Sequence, residues 1–318
     1  MGRPEVYTLG RLIVDLYANE IGVPMKDVVS FRKYLGGSAA NTAVGLARHG
    51  ADVGLISRVG SDGHGEFLRE VLAREGVDTR MVKDDDVYQT GLAFAAISPP
   101  SDSTVLFYRK PCADANLQLS DLDFTAIGEA KVLVVACTSL AVSPGREATL
   151  AALEHNRRTG GVNVLDIDWR PDFWRDEAEA RLYYRLAIQQ SDVVIANEPE
   201  LAFVGESADA VEASERLLGY GPKQVVAKRG GDGVLYFGPE GTRRVPAFSV
   251  QVLNTLGAGD GFGAGYVFGL LQGWSVEQRL HYAAAAGAIV VSRHSCSEAM
   301  PTRSEVESLV ASAGTTTS

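Results

Sequence analysis

The sequence predicts an α/β fold with a central, mainly parallel sheet flanked by helices, and three observations support this. Short apolar runs rich in Val and Ile alternate with segments of helical periodicity, which is the order of βαβ units. The runs are apolar at nearly every position, as in central parallel strands that are buried on both faces. Glycine follows several of the helical segments, and its 34 occurrences in 318 residues exceed the usual share of about 7%.

The first elements alternate between strands and helices. Val6–Leu9 and Leu12–Leu16 read as one strand interrupted by Gly10-Arg11. Apolar residues recur at the spacing of a helix face within Ser38–His49, and Gly50 after it is typical of a helix end. The next strand and the next helix are predicted over Asp52–Val59 and Gly65–Glu75.

The alternation continues in the second half of the chain. Apolar runs predict strands over Lys131–Cys137, Gly161–Ile167, Ser191–Ala196 and Gln224–Ala227. Helical periodicity predicts helices over Arg146–Arg157, Asp176–Gln190, Ala208–Leu218, Gly257–Gln272 and Val276–Val291. Phe248–Leu253 is strand-like and precedes the helix that begins near Gly257.

Two segments, Tyr17–Tyr34 and Asp86–Tyr108, have weak helical periodicity and read as extended chain. Within the second, Thr90–Ser98 and Val105–Arg109 are strand-like, and Pro99–Ser103 is a turn between them. Strands of this kind outside the main alternation predict a small separate sheet.

The small sheet would be a lid built from parts of residues 12–34 and 87–112, on a single domain of residues 1–318. Lids usually cover ligand sites. Apolar lid positions such as Leu92, Phe94 and Leu106 leave a sheet face and an edge to be covered. We therefore expect a homodimer formed by lid-to-lid pairing.

Charge and cysteine content narrow the classes of function. Lys and Arg total 30 against 40 Asp and Glu, and the net charge of −10 disfavours binding to nucleic acid or to an anionic membrane. Cys112, Cys137 and Cys296 are too few and too scattered for a disulfide framework or a metal cluster. No run approaches the roughly 18 apolar residues of a membrane span, and no signal-peptide core is evident, so we expect a cytoplasmic protein.

The most informative stretch runs from Asn254 to Phe262 and reads Asn-Thr-Leu-Gly-Ala-Gly-Asp-Gly-Phe. Small residues at Gly257, Ala258 and Gly259 would let backbone N–H groups converge at a helix N-terminus, which attracts anions. Asp260 would be placed to take a proton from a hydroxyl that attacks a phosphate there. The alternative from these residues alone is an ordinary glycine-rich turn with Asp260 as the helix N-cap.

A dinucleotide-binding fingerprint is a weaker interpretation of the same stretch. Gly259-x-Gly261-x-x-Ala264 fits its loose pattern. The chain that follows is nearly all helical in pattern, so no second strand is available for a βαβ unit. The phosphate-binding P-loop pattern, with its Lys-Ser or Lys-Thr ending, does not occur in the sequence.

Two glycine-rich motifs resemble the two signatures of the ribokinase-like (PfkB) family of sugar kinases. They are Gly36-Gly37-Ser38-Ala39-Ala40-Asn41-Thr42-Ala43 and Thr255-Leu256-Gly257-Ala258-Gly259-Asp260. Three further motifs, at residues 59–65, 197–200 and 228–233, resemble those of the family in the same order. The resemblance covers nearly the whole chain, and it implies a ribokinase-like fold that uses ATP and Mg²⁺.

The resemblance also implies roles around the phosphates. Gly257, Ala258 and Gly259 would form an anion hole together with Asp260, and Asp260 would be the general base on the sugar hydroxyl. Asn197 and Glu200 would hold Mg²⁺ through water or phosphate, which suits oxygen ligands; the same pair also suits a helix cap, and both interpretations can hold together. The implied nucleotide-binding residues are Asn197, Lys228, Gly230, Gly233, Thr255, Gly257 and Gly259.

The sugar-binding residues that the resemblance implies are Asp15, Gly36, Gly37, Asn41, Arg109, Asp168 and Arg170. The two arginines lie in segments that resemble the 2-keto-3-deoxygluconate kinase branch, where such arginines face a carboxylate. Guanidinium groups suit this role because they bind a carboxylate through two hydrogen bonds. A surface ion pair is the alternative for each arginine. That branch usually has Asn where this chain has Asp168.

Three segments resemble the 5-dehydro-2-deoxygluconokinase branch: Gly10-Arg11 with Val14–Tyr17, Lys33–Ser38 and Ala288–Thr302. The sequence therefore predicts an ATP-dependent kinase acting on the terminal hydroxyl of a keto-deoxy sugar acid, with 5-dehydro-2-deoxy-D-gluconate as the best candidate, in myo-inositol catabolism. The alternatives are a 2-keto-3-deoxygluconate kinase, a fructokinase and a non-catalytic sugar-binding regulator. Potassium-activated relatives carry Asp where Asn254 stands, so a need for K⁺ is left open.

Overall fold

Two β-sheets organise the computed structural model, which describes residues 2–99 and 103–314. Over these residues the larger sheet has nine strands and the smaller has four. Helices cover both faces of the larger sheet. The predicted α/β fold, with a mainly parallel sheet and a small second sheet, is confirmed.

The strands are short. In chain order they are β1 (Val6–Leu9), β2 (Ile13–Ala18), β3 (Phe31–Gly36), β4 (Val53–Gly60), β5 (Val82–Asp85), β6 (Leu92–Ala96), β7 (Thr104–Tyr108), β8 (Val132–Ala136), β9 (Val162–Asp166), β10 (Val193–Asn197), β11 (Gln224–Lys228), β12 (Val234–Phe237) and β13 (Arg243–Val245).

The helices alternate with these strands. In chain order they are α1 (Ser38–His49), α2 (Gly63–Arg74), α3 (Phe124–Glu129), α4 (Gly145–Arg158), α5 (Glu177–Ile188), α6 (Glu198–Gly205), α7 (Ala210–Gly219), α8 (Ala258–Leu271), α9 (Val276–Val291) and α10 (Arg303–Gly314).

The larger sheet has the order β13-β12-β11-β10-β9-β8-β1-β4-β5. Its pairs from β11 through β5 are parallel, and β12 and β13 add antiparallel strands at one edge. The smaller sheet has the order β3-β2-β6-β7, with β2 and β6 parallel and the outer pairs antiparallel.

Alternate residues of the central strands enter two different cores. In β8, Val132 and Val134 pack with α1, α2, α8, α9 and α10, whereas Leu133 and Val135 pack with α3 to α7. Successive side chains of a strand point to opposite faces, so both faces must be apolar when both are covered by helices. This is why the central strands read as continuous apolar runs.

Three central strands end at the same edge of the larger sheet with polar residues. The last residues of these strands are Asp166 of β9, Asn197 of β10 and Lys228 of β11. Parallel pairing puts the carboxyl ends of neighbouring strands side by side, and ligand sites of such sheets lie at that edge. The fold therefore gathers three chemically active side chains from distant parts of the sequence.

Two strand predictions were wrong. Val6–Leu9 and Leu12–Leu16 do not form one strand, because the chain turns at Gly10-Arg11 and β2 pairs in the smaller sheet. The predicted strand over Phe248–Leu253 does not form. The N–H of Leu253, at the end of this segment, donates to the carbonyl of Val291 at the end of α9 and not to a neighbouring strand. Of the predicted turn at Pro99–Ser103, residues 100–102 lie outside the described residues.

Over residues 2–99 and 103–314, no helix is both long enough and apolar enough to cross a membrane.

Candidate active site

A cavity of about 80 Å³ lies between the smaller sheet and the start of α8. Most of the predicted sugar-site and base residues meet there. Those that line it are Asp15, Gly37, Asn41, Arg170, Gly257 and Asp260. The smaller sheet supplies one wall, with Ile13 and Tyr17 of β2 and Val105 and Phe107 of β7, and thus covers the site as a lid would.

Asp260 stands in the first turn of α8 and faces this cavity. Asn41, near the start of α1, donates a hydrogen bond from Nδ2 to its Oδ2 at 2.7 Å. Burial, with the neighbouring Asp168 and Asp166 carboxylates, raises the pKa of Asp260 to about 8, and the Asn41 hydrogen bond opposes this. A carboxylate whose pKa lies near the working pH is well suited to accept a proton.

The N-terminus of α8 presents free hydrogen-bond donors beside Asp260. Gly257 has a φ of 81°, a left-handed conformation that favours glycine, and a side chain there would meet Cys296. In the part of the chain that the structure describes, nothing accepts a hydrogen bond from the N–H groups of Gly257, Gly259 or Asp260. Free N–H groups at the positive end of a helix dipole form an anion site.

Lys228 reaches the same helix end from β11. A Cβ on Gly259 would lie 3.0 Å from the Lys228 Nζ, and this Nζ lies 3.3 Å from Asp166 Oδ1. Burial alone would lower the pKa of Lys228, but the Asp166, Glu200 and Asp260 carboxylates raise it above its ordinary value. The side chain is therefore a cation beside the anion site.

Asn197 and Glu200 form the capping box of α6. Asn197 Oδ1 accepts from the Glu200 N–H at 2.9 Å, and Glu200 accepts from the Asn197 N–H at 2.8 Å and the Trp169 N–H at 3.1 Å. Burial raises the pKa of Glu200. Both predicted interpretations of this pair remain compatible, because carboxylate oxygens keep further lone pairs.

The fit to Mg²⁺ is indirect. Within residues 2–99 and 103–314, no group of three or more His, Cys, Asp or Glu side chains is arranged to hold a metal ion. Asp166 and Glu200 nevertheless place buried carboxylates beside Lys228 and the start of α8. Mg²⁺ usually keeps several waters and binds through one or two carboxylates and the phosphates of the substrate, so these residues fit such a site.

Asp15 and two glycines shape the wall opposite α8. A side chain on Gly36 would overlap the Asp15 carboxyl group, and one on Gly37, whose φ is 98°, would collide with the carbonyl of Arg11. Burial raises the pKa of Asp15 to about 7, although Arg11 and Arg170 oppose the shift. The glycine pair therefore makes room for a carboxyl group that lines the cavity.

The remaining predicted nucleotide residues lie away from this cavity. Gly230 and Gly233 belong to the turn between β11 and β12, and a side chain on Gly233 would collide with the carbonyl of Val245. Thr255 is exposed just before α8, and its carbonyl accepts a long bond from the Ala258 N–H at 3.4 Å. Asn254 is buried; its Nδ2 donates to the carbonyl of His294, after α9, and its Oδ1 accepts from the Leu256 N–H.

The two predicted carboxylate-binding arginines differ in position. Arg170 lines the cavity and lies 3.0 Å from Asp168. The structure does not bring Arg109 to the cavity wall. Its Nε and Nη2 both donate to Asp114 Oδ2, at 2.9 and 2.6 Å, and its side chain is buried. Asp114 lies only five residues after Arg109 in the sequence. This short separation was the available signal that Arg109 could form an ion pair within its own segment.

Sequence reasoning missed Arg11 as a site residue. It lies between β1 and β2, lines the cavity and is 5% exposed. Its Nη2 donates to Asp168 at 3.1 Å and lies 3.4 Å from Ser38 Oγ. A single charged residue between two buried apolar runs was the available signal, because a buried charge requires a partner.

Two further cavity residues come from the lid and from the segment after α9. Tyr17 of β2 and Cys296, after α9, are 2.6 Å apart between oxygen and sulfur. Burial raises the pKa of the Cys296 thiol well above its ordinary value. The thiol therefore stays protonated and serves as a packing and hydrogen-bonding group.

A larger, more open cavity of about 460 Å³ lies between the end of α9, the first turns of α10 and the segment before α8. Ile289, Ser292, Arg293 and Glu305 line it. None of the predicted site residues lines this larger cavity. The predicted base and most of the predicted sugar-site residues line the smaller cavity instead, which makes the smaller cavity the candidate active site.

Comparison with known sequences gives a family match along most of the chain. Residues 3–303 match the pfkB family of carbohydrate kinases. A relative from Geobacillus kaustophilus (strain HTA426), called 5-dehydro-2-deoxygluconokinase, is 41% identical over 308 residues, covering 95% of this chain and 92% of that protein.

Comparison with solved structures gives the same fold. A protein described as a ribokinase II from E. coli, in complex with ATP and Mg²⁺, matches with a TM-score of 0.90 and 26% identity over 97% of this chain and 99% of that one. A fructokinase from Xylella fastidiosa with bound ATP matches with a TM-score of 0.88 and 26% identity, over 98% and 99% of the two chains.

Proposed function

Because the chain belongs to the pfkB family of carbohydrate kinases, we propose that it transfers the γ-phosphate of ATP to the terminal hydroxyl of a keto-deoxy sugar acid. The proposed substrate is 5-dehydro-2-deoxy-D-gluconate and the product its 6-phosphate, a step of myo-inositol catabolism. Relatives of that name at about 40% identity over nearly the whole chain support this choice. The proposed setting is the cytoplasm, where ATP and Mg²⁺ are supplied.

The observation that carries the proposal is the position of Asp260. Its carboxyl group faces the cavity under the smaller sheet, next to free N–H donors and with a pKa raised to about 8. Asp260 takes the proton of the sugar hydroxyl as the oxygen attacks the γ-phosphorus, the bond from that phosphorus to the bridging oxygen breaks, and ADP leaves. Asn41 holds the carboxyl group of Asp260 in position. A non-catalytic sugar-binding regulator would have no need of this group.

Charge stabilisation comes from the start of α8 and from Lys228. The N–H groups of Gly257, Gly259 and Asp260 have no acceptor among the described residues and would bind the transferred phosphoryl group. The Lys228 ammonium adds a positive charge beside them. Phosphoryl transfer depends mainly on positioning and on this kind of electrostatic stabilisation.

The ATP complex would include Mg²⁺ held through water and phosphate near Asn197, Glu200 and Asp166. When bound, the ion neutralises charge on the phosphates and orients them. The carboxylates of Asp166 and Glu200 balance the local positive charge of Lys228. Asn254 supplies no negative charge to bind K⁺. Activity measured with and without K⁺ tests whether the enzyme needs that ion.

The test is an ATP-consumption assay on the purified chain with a panel of sugars. We expect 5-dehydro-2-deoxy-D-gluconate to give the highest kcat/KM, with the phosphate on the terminal oxygen by ³¹P NMR. A preference for 2-keto-3-deoxygluconate or for fructose would replace the proposed substrate while leaving the kinase assignment in place. If no sugar of the panel led to consumption of ATP, the kinase assignment would be contradicted.

A further inference from the structure

Arg11 has hydrogen-bonding capacity that the protein leaves unused. Its Nε and Nη1 are buried without a hydrogen-bond partner among the described residues, and so is the Nε of Arg170. Both side chains line the cavity that holds Asp260. Leaving buried donors of a charged group unpaired is costly, so two such groups at one cavity indicate a site built for an anion.

The two arginines share one ion-pair partner. One carboxylate, Asp168, pairs with both guanidinium groups, at 3.1 Å from Arg11 and 3.0 Å from Arg170. Asp15 and Asp260 also line the cavity, but neither forms an ion pair with Arg11 or Arg170, and burial raises the pKa of each, to about 7 and about 8. Asp168 is therefore the one carboxylate paired with these two guanidinium groups among the described residues. A ligand with one carboxylate would give them a second partner.

Asp168 is held in place for this pairing. Its φ of 39° is a left-handed conformation that is unusual for a residue other than glycine. Ser38 donates to the same carboxylate oxygen at 2.6 Å. Burial alone would raise the pKa of Asp168, but Arg11 and Arg170 hold it well below its ordinary value, so the group is a fixed anion.

Aromatic rings fix the Arg11 guanidinium from the side. Its central carbon lies 5.4 Å from the ring centre of Phe107, on lid strand β7, and 5.7 Å from that of Phe173. These contacts are within the range of cation–π attraction. Arg11 is thus oriented by Asp168, Ser38 and two rings, and its remaining donors are free for a ligand.

We propose that Arg11, together with Arg170, binds the carboxylate of the sugar acid, with Asp168 as the positioning residue for both arginines. Arg109 instead stabilises the lid, since Asp114 takes two of its donors. The inference rests on the proposed function and assigns substrate specificity to a residue outside the predicted site. A neutral sugar gains nothing from this pair, so Arg11 distinguishes acids from neutral sugars.

The test compares two substrates on the purified full chain. One is 5-dehydro-2-deoxy-D-gluconate, and the other is its analogue with CH₂OH in place of the carboxylate. For Arg11→Gln we expect kcat/KM on the acid to fall roughly 10- to 150-fold, mostly through KM, as for loss of a charge-assisted hydrogen bond. On the neutral analogue the change stays within about 3-fold. Arg11→Lys keeps the charge and recovers part of the loss on the acid.

The matched control is Arg109→Gln, which removes a buried arginine of the lid. It should lower activity on both substrates by similar factors. Equal losses on both substrates for Arg11→Gln would overturn the inference and leave the proposed function standing. A wild-type chain that phosphorylates neutral sugars but no sugar acid would overturn the proposed substrate first.

A variant that fails to fold is detected by thermal melting. In that case Arg11→Gln with Asp168→Asn removes one positive and one negative charge together and so keeps the net charge of the buried cluster. This double variant should show the same selective loss on the acid. Titration calorimetry of the acid without nucleotide gives an independent readout, and unchanged binding in the folded variant would contradict the inference.

Discussion

Asp260 is the residue on which the proposed chemistry depends most directly. We expect Asp260→Asn to lower kcat by about 10²- to 10⁴-fold, the usual range for loss of a general base, while ATP binding is kept. The measurement is steady-state turnover with ATP titrated separately. Asp209→Asn is the matched control, because Asp209 caps α7 and Asn is an equally good cap. A turnover close to that of wild type would contradict the assignment.

The raised pKa of Asp260 also has a consequence for stability. The folded state, with a pKa of about 8, holds its proton more tightly than the unfolded chain, where an Asp titrates near 3.9. This contribution is fully present below pH about 4 and is lost as the pH rises to about 8. Asp15, with a pKa of about 7, acts in the same direction.

Asp260→Asn removes this pH dependence, because an amide does not ionise in that range. The variant should therefore gain thermal stability relative to wild type at pH 8, by a few degrees, and gain less at pH 5. Melting temperatures of both proteins at the two pH values measure the difference. An identical difference at pH 5 and pH 8 would contradict the raised pKa.

The relative position of α1 and α8 determines the Asn41–Asp260 hydrogen bond. The two helices meet at Gly45 and Ala264, where a Cβ on Gly45 would lie 2.7 Å from the Cβ of Ala264. Gly45→Ala should push the helices apart, destabilise the protein by about 1–3 kcal/mol as overpacking does, and lower kcat. Chemical unfolding and steady-state kinetics measure the two effects.

A compensating change separates packing from chemistry. Gly45→Ala combined with Ala264→Gly returns the volume, so it should recover much of kcat. Gly263→Ala, in α8 but with no neighbouring atom within 4 Å of the added Cβ, should leave kcat unchanged. Loss of activity in the Gly263 variant, or no recovery in the double variant, would show that the spacing of the helices is not the cause.

For the molecule as a whole, we predict a homodimer because the outer face of the lid is apolar and exposed. On its outer face Leu106 is 43% and Tyr108 63% exposed, and Phe94 contacts the ring of Tyr108 at 5.4 Å. An apolar sheet face with free edges is stabilised when a second copy covers it. Light scattering at micromolar concentration should therefore give about twice the 33.9 kDa mass of one chain.

Leu106→Glu should shift this mass to that of one chain, because a carboxylate on the covered face cannot be buried without a partner. Leu182→Glu is the control, because Leu182 is a comparably exposed leucine on α5, away from the lid. A wild-type mass of 33.9 kDa would contradict the lid dimer.

The sequence by itself determined what depends on local periodicity and on short motifs. The predicted bounds of α1 agree with the structure, and the central strands agree to within one or two residues, because apolar spacing follows directly from helical and extended geometry. Asp260 at the start of α8 was likewise evident, since the small residues before it are its neighbours in sequence.

Only the tertiary structure decided which distant side chains meet. Asn41 and Asp260 are 219 residues apart, and Arg11 and Asp168 are 157 apart. Periodicity could not show that the chain leaves the larger sheet after Gly10 and that β2 belongs to the smaller sheet, because an apolar run fits either sheet. The choice between Arg11 and Arg109 was equally beyond the sequence, because a buried arginine can serve a ligand only when the fold leaves its donors unpaired, and that depends on contacts made across the whole chain.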